Sequence, residues 1–128
     1  MNICIFGLHF TNEMPFKNHG KAIAAKCDVS KKADVDLAFA KTIAEFGGVN
    51  LVVNNAGITR DKSAKKLDEA AWDLVLNVNL KGTFLVCQAA INAMGDKGGA
   101  ICNTASVAVE GNFGQANYAA SKAGIVGL

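Results

Sequence analysis

Several familiar signatures are missing from this chain of 128 residues, and each absence closes off a class of function. The four cysteines, Cys4, Cys27, Cys87 and Cys102, form no C-x-x-C pair, which argues against a metal ribbon or a redox dithiol. Three of them lie inside apolar stretches, so they read as small buried hydrophobes of a reducing compartment rather than as disulfide partners. His9 and His19 stand alone, and a metal site would need further ligands, so no metal is expected. Lys and Arg exceed Asp and Glu by only 13 to 11, without a basic stripe interleaved with aromatics, so nucleic acid is not an expected partner. The densest pairs, Lys31-Lys32 and Lys65-Lys66, read as solvated helix faces. No apolar run approaches the roughly 18 residues that would span a bilayer. Met1 to Phe10 is apolar but has neither a basic n-region nor a small-residue cleavage pattern, so no signal peptide is expected and the cytoplasm is the default location. Repeats and low-complexity segments are absent as well.

What remains is the composition of a packed core, 51% hydrophobic and 19% charged, in a chain of single-domain size. Ala22 to Cys27 reads as a short strand ending at Asp28, and Ser30 is expected to cap a helix running to about Phe46. Val35, Phe39, Ile43 and Phe46 form one apolar stripe on that helix, and Gly47-Gly48 stops it. Val49 to Val53 breaks at Asn54 and reads as a strand buried on both faces. A polar loop extends through Lys66, and Asp68 then opens a long helix to about Met94 that carries Trp72 and the polar positions Asn77 and Asn79. Gly95 to Gly99 ends it. Ala100 to Thr104 reads as another buried strand, Glu110 to Gln115 as a Gly-rich loop, and Asn117 onward as helix. Alternating strands and helices predict an α/β architecture with a parallel sheet, whose ligands bind beyond the carboxyl ends of the strands. Asp28, Asn54 and Ser106 all fall on that rim.

Tyr118 and Lys122 sit four residues apart at the head of the last helix, one turn away on the same face. A phenol that ionises near pH 10 is a poor acid at neutrality, and an ammonium close by favours the phenolate. Such a pair serves general acid chemistry at a carbonyl, with Ser106 a short loop upstream. Taken singly, each of these residues has an ordinary structural explanation: a helix surface pair, a loop hydroxyl, a backbone-satisfied asparagine at Asn79, a turn at Asn54-Asn55.

Together and in order, Asn54-Asn55-Ala56-Gly57, Asn79, Ser106 and Tyr118-Ala-Ala-Ser-Lys122 resemble the short-chain dehydrogenase/reductase family, from about Gly20 to Leu128. Ile58-Thr59-Arg60-Asp61 and Gly114-Gln115-Ala116-Asn117-Tyr118 are most similar to the branch that reduces 3-oxoacyl groups on acyl carrier protein or coenzyme A. The resemblance implies an NADP(H)- or NAD(H)-dependent oxidoreductase. In it Tyr118 donates a proton to the carbonyl oxygen, Ser106 positions that oxygen, Lys122 tunes the tyrosine and holds the nicotinamide ribose, and Asn79 anchors a water that relays protons. Asp28 and Val29 are expected at the adenine, and Asn54, Ala56 and Gly57 brace the central strand and pass close to the cofactor. A dimer or tetramer is expected for full-length members, built on the helices after Asp68 and Asn117.

The chain departs from that family at both ends. The implied fold is a partial Rossmann-like, doubly wound parallel sheet that lacks the first βαβ unit and the last strands. Residues 1–19 form an atypical segment ahead of a partial domain at 20–128. Ile3 to Phe6 could mimic a first strand ending at Gly7, but no further glycine comes soon enough after it to cradle a pyrophosphate. Twenty residues lie between Gly7 and Asp28, and a βαβ unit needs about thirty. Two sheet slots of about 4.8 Å each are thus expected vacant beside the strand ending at Asp28. One residue is also missing between Ser106 and Tyr118 relative to the oxoacyl reductases. Two readings are open: a reductase that acts on a 3-oxoacyl thioester or similar carbonyl, or an inactive truncated chain that acts, if at all, by associating with full-length subunits.

Overall fold

The computed structural model describes the backbone of residues 3–7 and all of residues 22–128. Expectations for His9, His19, the stretch after Gly7 and the side chain of Cys4 fall outside the described residues. Four strands and four α-helices are described, and every strand pairing is parallel. Strand β1, Ile3–Gly7, runs beside β2, Ala22–Lys26, with Ile3 opposite Ala22 and Gly7 opposite Lys26. Strand β3, Leu51–Asn54, runs beside β4, Ala100–Asn103, with Leu51 opposite Ala100 and Asn54 opposite Asn103. These are two separate two-stranded sheets. The strand ending at Asp28 therefore has a neighbour where the sequence predicts a vacancy, whereas no ladder joins β2 to β3 among the described residues.

Helix α1, Lys32–Phe46, is not capped by Ser30: Lys31 stands at the N-cap without a side-chain bond. Asp28 has drawn Ser30 away, since its Oδ1 accepts from both the Ser30 amide (3.1 Å) and the Ser30 hydroxyl (2.7 Å). The buried stripe of α1 also differs from the expected one. Val35, Ala38, Phe39 and Thr42 are buried while Ile43 is exposed, because two successive steps of four residues drift about 80° around a helix of 3.6 residues per turn. Thr42 is accommodated by returning its hydroxyl to the Ala38 carbonyl at 2.8 Å. Gly47 ends the helix at φ +80°, a left-handed conformation that glycine adopts without a Cβ clash.

The long helix opens at Asp68, whose carboxylate accepts the Ala71 amide at 2.8 Å, an N-cap bond that satisfies one of the orphan donors of the first turn. It comprises α2, Glu69–Leu76, a π-helical turn at Asn77–Lys81 and α3, Gly82–Met94. The extra residue of the π turn rotates the helix beyond it, and Asn79 ends up fully buried. Over Glu69–Lys97 this segment is long and apolar enough to cross a membrane, with a mean hydropathy of 1.4 in its best window. Its buried positions instead pack into the protein: Val86, Ala90 and Met94 share a core with Phe39 of α1 and Val52 of β3.

That core covers one face of the β3–β4 sheet. Val52 points into it, while its neighbours Leu51 and Val53 remain 63% and 59% exposed, and Ala100 and Cys102 of β4 are exposed beside them. Neither strand is buried on both faces, nor is Cys102 a core residue, because α1 and α3 pack on the Val52 side and no described residue covers the other. The last helix, α4, Ala116–Gly127, lies against α2, the π turn and a 3-10 turn at Val107–Glu110. Gly124 allows the close approach, since a Cβ there would stand 2.6 Å from Leu80 Cδ2.

Candidate active site

The parallel pair β3–β4 delivers its carboxyl ends side by side, and a polar contact ties them. Asn54 Nδ2 donates to Asn103 Oδ1 at 2.9 Å and lies 3.4 Å from Cys87 Sγ on α3. Above this brace the chain leaves β3 as an open loop, Asn55 to Leu67, and leaves β4 toward the 3-10 turn. An open cleft of about 310 Å³ lies between them, lined by Asn55, Gly57 and Thr59 on one side and by Thr104, Tyr118 and Lys122 on the other.

Helical spacing places Tyr118 and Lys122 on one face of α4, and the Lys122 ammonium stands 5.7 Å from the centre of the tyrosine ring. Lys122 is only 4% exposed, and its Nζ donates to the Thr104 carbonyl at 2.6 Å. One bond satisfies one of three ammonium donors. Burial accordingly pushes the Lys122 ammonium below the ordinary lysine range, since low dielectric disfavours the charged form. Gly57 closes over it: a Cβ at that position would lie 3.9 Å from Nζ and 3.5 Å from Asn79 Oδ1.

Asn79 holds this wall from behind. Its Oδ1 accepts the Ile58 amide at 2.8 Å, and its Nδ2 donates to the Ile58 carbonyl at 3.0 Å and to Ser121 Oγ at 3.1 Å. Both side-chain donors are thereby committed, while Oδ1, which accepts one bond from Ile58, keeps its second lone pair. A second, much smaller crevice lies alongside, lined by Val29, Asn54, Ala56, Gly82, Thr83 and Val86. Gly82 is obligatory there because an added Cβ would stand 2.8 Å from Val29 Cγ2.

Tyr118, Lys122 and Gly57 thus share the cleft, Asn79 supports it, and Val29, Asn54 and Ala56 share the crevice. Ser106 and Asp28 line neither. Ser106 is the N-cap of the 3-10 turn, its Oγ accepting the Ala108 amide at 3.2 Å, while the preceding Thr104 and Ala105 reach the cleft. The Asp28 carboxylate is committed to Ser30 and to Lys31 Nζ at 3.3 Å, and these bonds, the Ser30 hydroxyl foremost, hold it below the usual carboxylate range. Sequence reasoning missed three contributors. Thr104 supplies a backbone carbonyl, which leaves no trace in residue type. Asn117 and Ser121 are fully buried polar residues on α4, and their signal was present: they flank the Tyr118 and Lys122 positions by one residue each and so share the adjacent helix face.

The chain belongs to the short chain dehydrogenase family, whose sequence profile matches residues 9–128, beginning upstream of the Gly20 boundary that the motifs suggest. Among its relatives, the (2S)-[(R)-hydroxy(phenyl)methyl]succinyl-CoA dehydrogenase subunit BbsD of Thauera aromatica is 44% identical over 91% of this chain and 47% of that protein. The 3-oxoacyl-[acyl-carrier-protein] reductase FabG of Chlamydia muridarum is 40% identical over 99% of this chain and 54% of its own length. A crystal structure of a short chain dehydrogenase from Mycobacterium smegmatis superposes with a TM-score of 0.82 at 35% identity, covering 85% of this chain and 47% of that one. The chain spans about half the length of these relatives.

Proposed function

We propose that this chain carries the acid–base side of an NAD(P)(H)-dependent carbonyl reductase acting on a 3-oxoacyl thioester or a similar carbonyl compound. The observation that carries the reading is the convergence of Tyr118 and a buried, carbonyl-anchored Lys122 on one cleft. Tyr118 would hand its phenolic proton to the carbonyl oxygen as negative charge develops there, and the Lys122 ammonium would stabilise the phenolate left behind. Ser106 Oγ accepts the Ala108 amide and keeps its own proton, which it would donate to the same oxygen. The resemblance to 3-oxoacyl-[acyl-carrier-protein] reductases supports the substrate class, and a cytoplasmic location goes with it.

The residues fit a nicotinamide cofactor in part. Tyr118 and Lys122 would hold its ribose end, and Val29, Asn54 and Ala56 lie where its other end would pass, but no pyrophosphate cradle stands among the described residues. The cofactor, when bound, supplies the hydride. For the 128 residues alone we expect no heat of NADH or NADPH binding by calorimetry, and a micromolar dissociation constant would overturn that expectation. The substrate reading is tested by titrating acetoacetyl-CoA into the isotopically labelled chain and following amide resonances. Shifts at Thr59, Thr104 and Tyr118 that vanish in Tyr118→Phe are expected, and unmoved resonances at these three positions would sink it.

A second reading, association with full-length subunits, is favoured by the exposed Trp72, Phe84 and Val126 on the long helix and α4. Co-expression with a full-length relative would then yield a mixed oligomer of lowered activity. Absence of association at micromolar concentration counts against it.

A further inference from the structure

The cleft has a back wall as well as a catalytic face, and one helix controls both. Asn117 and Ser121 are one turn apart on α4, each displaced by a single residue from Tyr118 and Lys122, and both are fully buried. Asn117 Nδ2 donates to the Arg60 carbonyl at 3.2 Å and lies 3.3 Å from the Ala71 carbonyl of α2, while its Oδ1 accepts the Tyr118 amide at 2.8 Å. Ser121 Oγ donates to the Tyr118 carbonyl at 2.7 Å and accepts from Asn79 Nδ2, and Asn79 grips both the N–H and the C=O of Ile58. The segment Ile58 to Arg60 is therefore held at both ends by the same face of α4, directly at Arg60 and through Asn79 at Ile58.

We infer that Asn117 and Ser121 are positioning residues that clamp the Gly57–Arg60 wall of the cleft onto α4 and so keep Lys122 enclosed beside Tyr118. The inference rests on the reductase reading only for its functional meaning. The clamp is a physical claim about this chain and stands or falls separately. Polar networks in a buried setting specify one arrangement when every member is satisfied, and among the described residues no buried side-chain N or O atom lacks a partner. Removing one member opens the wall toward water. Lys122 is the reporter, because its enclosure by Gly57 is what the wall provides.

The test uses the whole chain with lysine labelled at its terminal carbon, and tracks the titration of Lys122 by NMR, assigned through Lys122→Arg. In Ser121→Ala and Asn117→Ala the Lys122 midpoint is expected to rise toward the ordinary lysine value of 10.5, while Ser121→Thr, which keeps the hydroxyl, restores the original value. A loss of global stability alone would not move the midpoint of the folded population. An unmoved midpoint in both alanine variants overturns the clamp even if acetoacetyl-CoA binds as proposed. Failure of that ligand to bind, with the midpoint moved, sinks the reductase reading and leaves the clamp. Should both alanine variants fail to fold, amide exchange in the unaltered chain decides. Ile58 and Tyr118 amides opening together are expected, and an Ile58 amide exchanging more than roughly tenfold faster than Tyr118, the worth of one ordinary hydrogen bond, overturns it.

Discussion

The two halves of this chain are finished to different degrees. Around α4, the π turn and the loop after β3, buried polar groups are paired throughout: Asn79, Asn117, Ser121 and Lys122 each have named partners within 3.3 Å. Around the strands, by contrast, one sheet face is packed and the other presents Leu51, Val53, Ala100 and Cys102 to solvent, and among the described residues the two sheets share no ladder. Parallel strands are normally covered on both faces. The difference teaches that the polar side of the cleft is specified locally, by residues within reach of one another along two helices and two loops. The sheet is specified by neighbours that the described residues do not supply.

The sharpest way to break this comparison is to strike the laced half. Asn117→Ala would take away the partner of the Tyr118 amide and of the Arg60 carbonyl and leave a void at a fully buried position, and a polar group left unpaired away from water costs about 1–3 kcal/mol. A loss of about 3 kcal/mol in urea-determined stability is expected for the lost bonds and the void together. A loss under about 1 kcal/mol, the low end for a single such group, would mean that water replaces the side chain freely and that this half is no more tightly specified than the other.

Adjacent residues of one strand test the open half. Val52 faces the core at 8% exposure and Val53 faces outward at 59%. Val52→Ala removes two buried methyl groups and leaves a partial cavity, worth about 2 kcal/mol, whereas Val53→Ala is expected to fall within about 0.5 kcal/mol, as surface changes do. Equal losses in chemical denaturation would show that the outer face is covered in solution.

How much of this is legible in the sequence divides along the same line. The Tyr118 and Lys122 pair, the strand end at Asn54 and the Asp68 cap can be read because each depends on spacing of a few residues along one element. The π turn cannot, since Asn77-Val-Asn-Leu-Lys81 has ordinary helix propensities and the residue that Asn79 meets, Ile58, lies far off along the chain. Burial of β3 and β4 on both faces is a false expectation because an apolar run such as Leu51-Val-Val53 is the same whether one face or both are covered. Periodicity records how a strand wants to be packed, and only the neighbours decide whether it is. Ser30 misleads for a related reason: a capping residue type is present, but Asp28 competes for its hydroxyl from two residues away.

That competition supplies the smallest of the three effects and asks whether the open half holds any local structure as firm as the clamp. Asp28 is kept below its ordinary value of 3.8 first by the Ser30 hydroxyl, then by the Ser30 amide and Lys31. A carboxylate whose folded value is depressed contributes its stability in full above its ordinary value, here 3.8, and loses it as the pH falls through the lowered folded value. Ser30→Ala removes the leading cause and leaves the other two. The Asp28 midpoint is expected to rise toward 3.8 without reaching it, and stability at neutral pH to drop by about 1 kcal/mol or less. The gap between the two chains should then close as both carboxylates become protonated in acid, because the bond lost is one to the charged form. A gap that persists below the lowered midpoint would show that Ser30 acts through the helix start at Lys31 rather than through Asp28. The turn after β2 would then belong, like the exposed sheet face, to the part of the molecule that local bonding leaves unfinished.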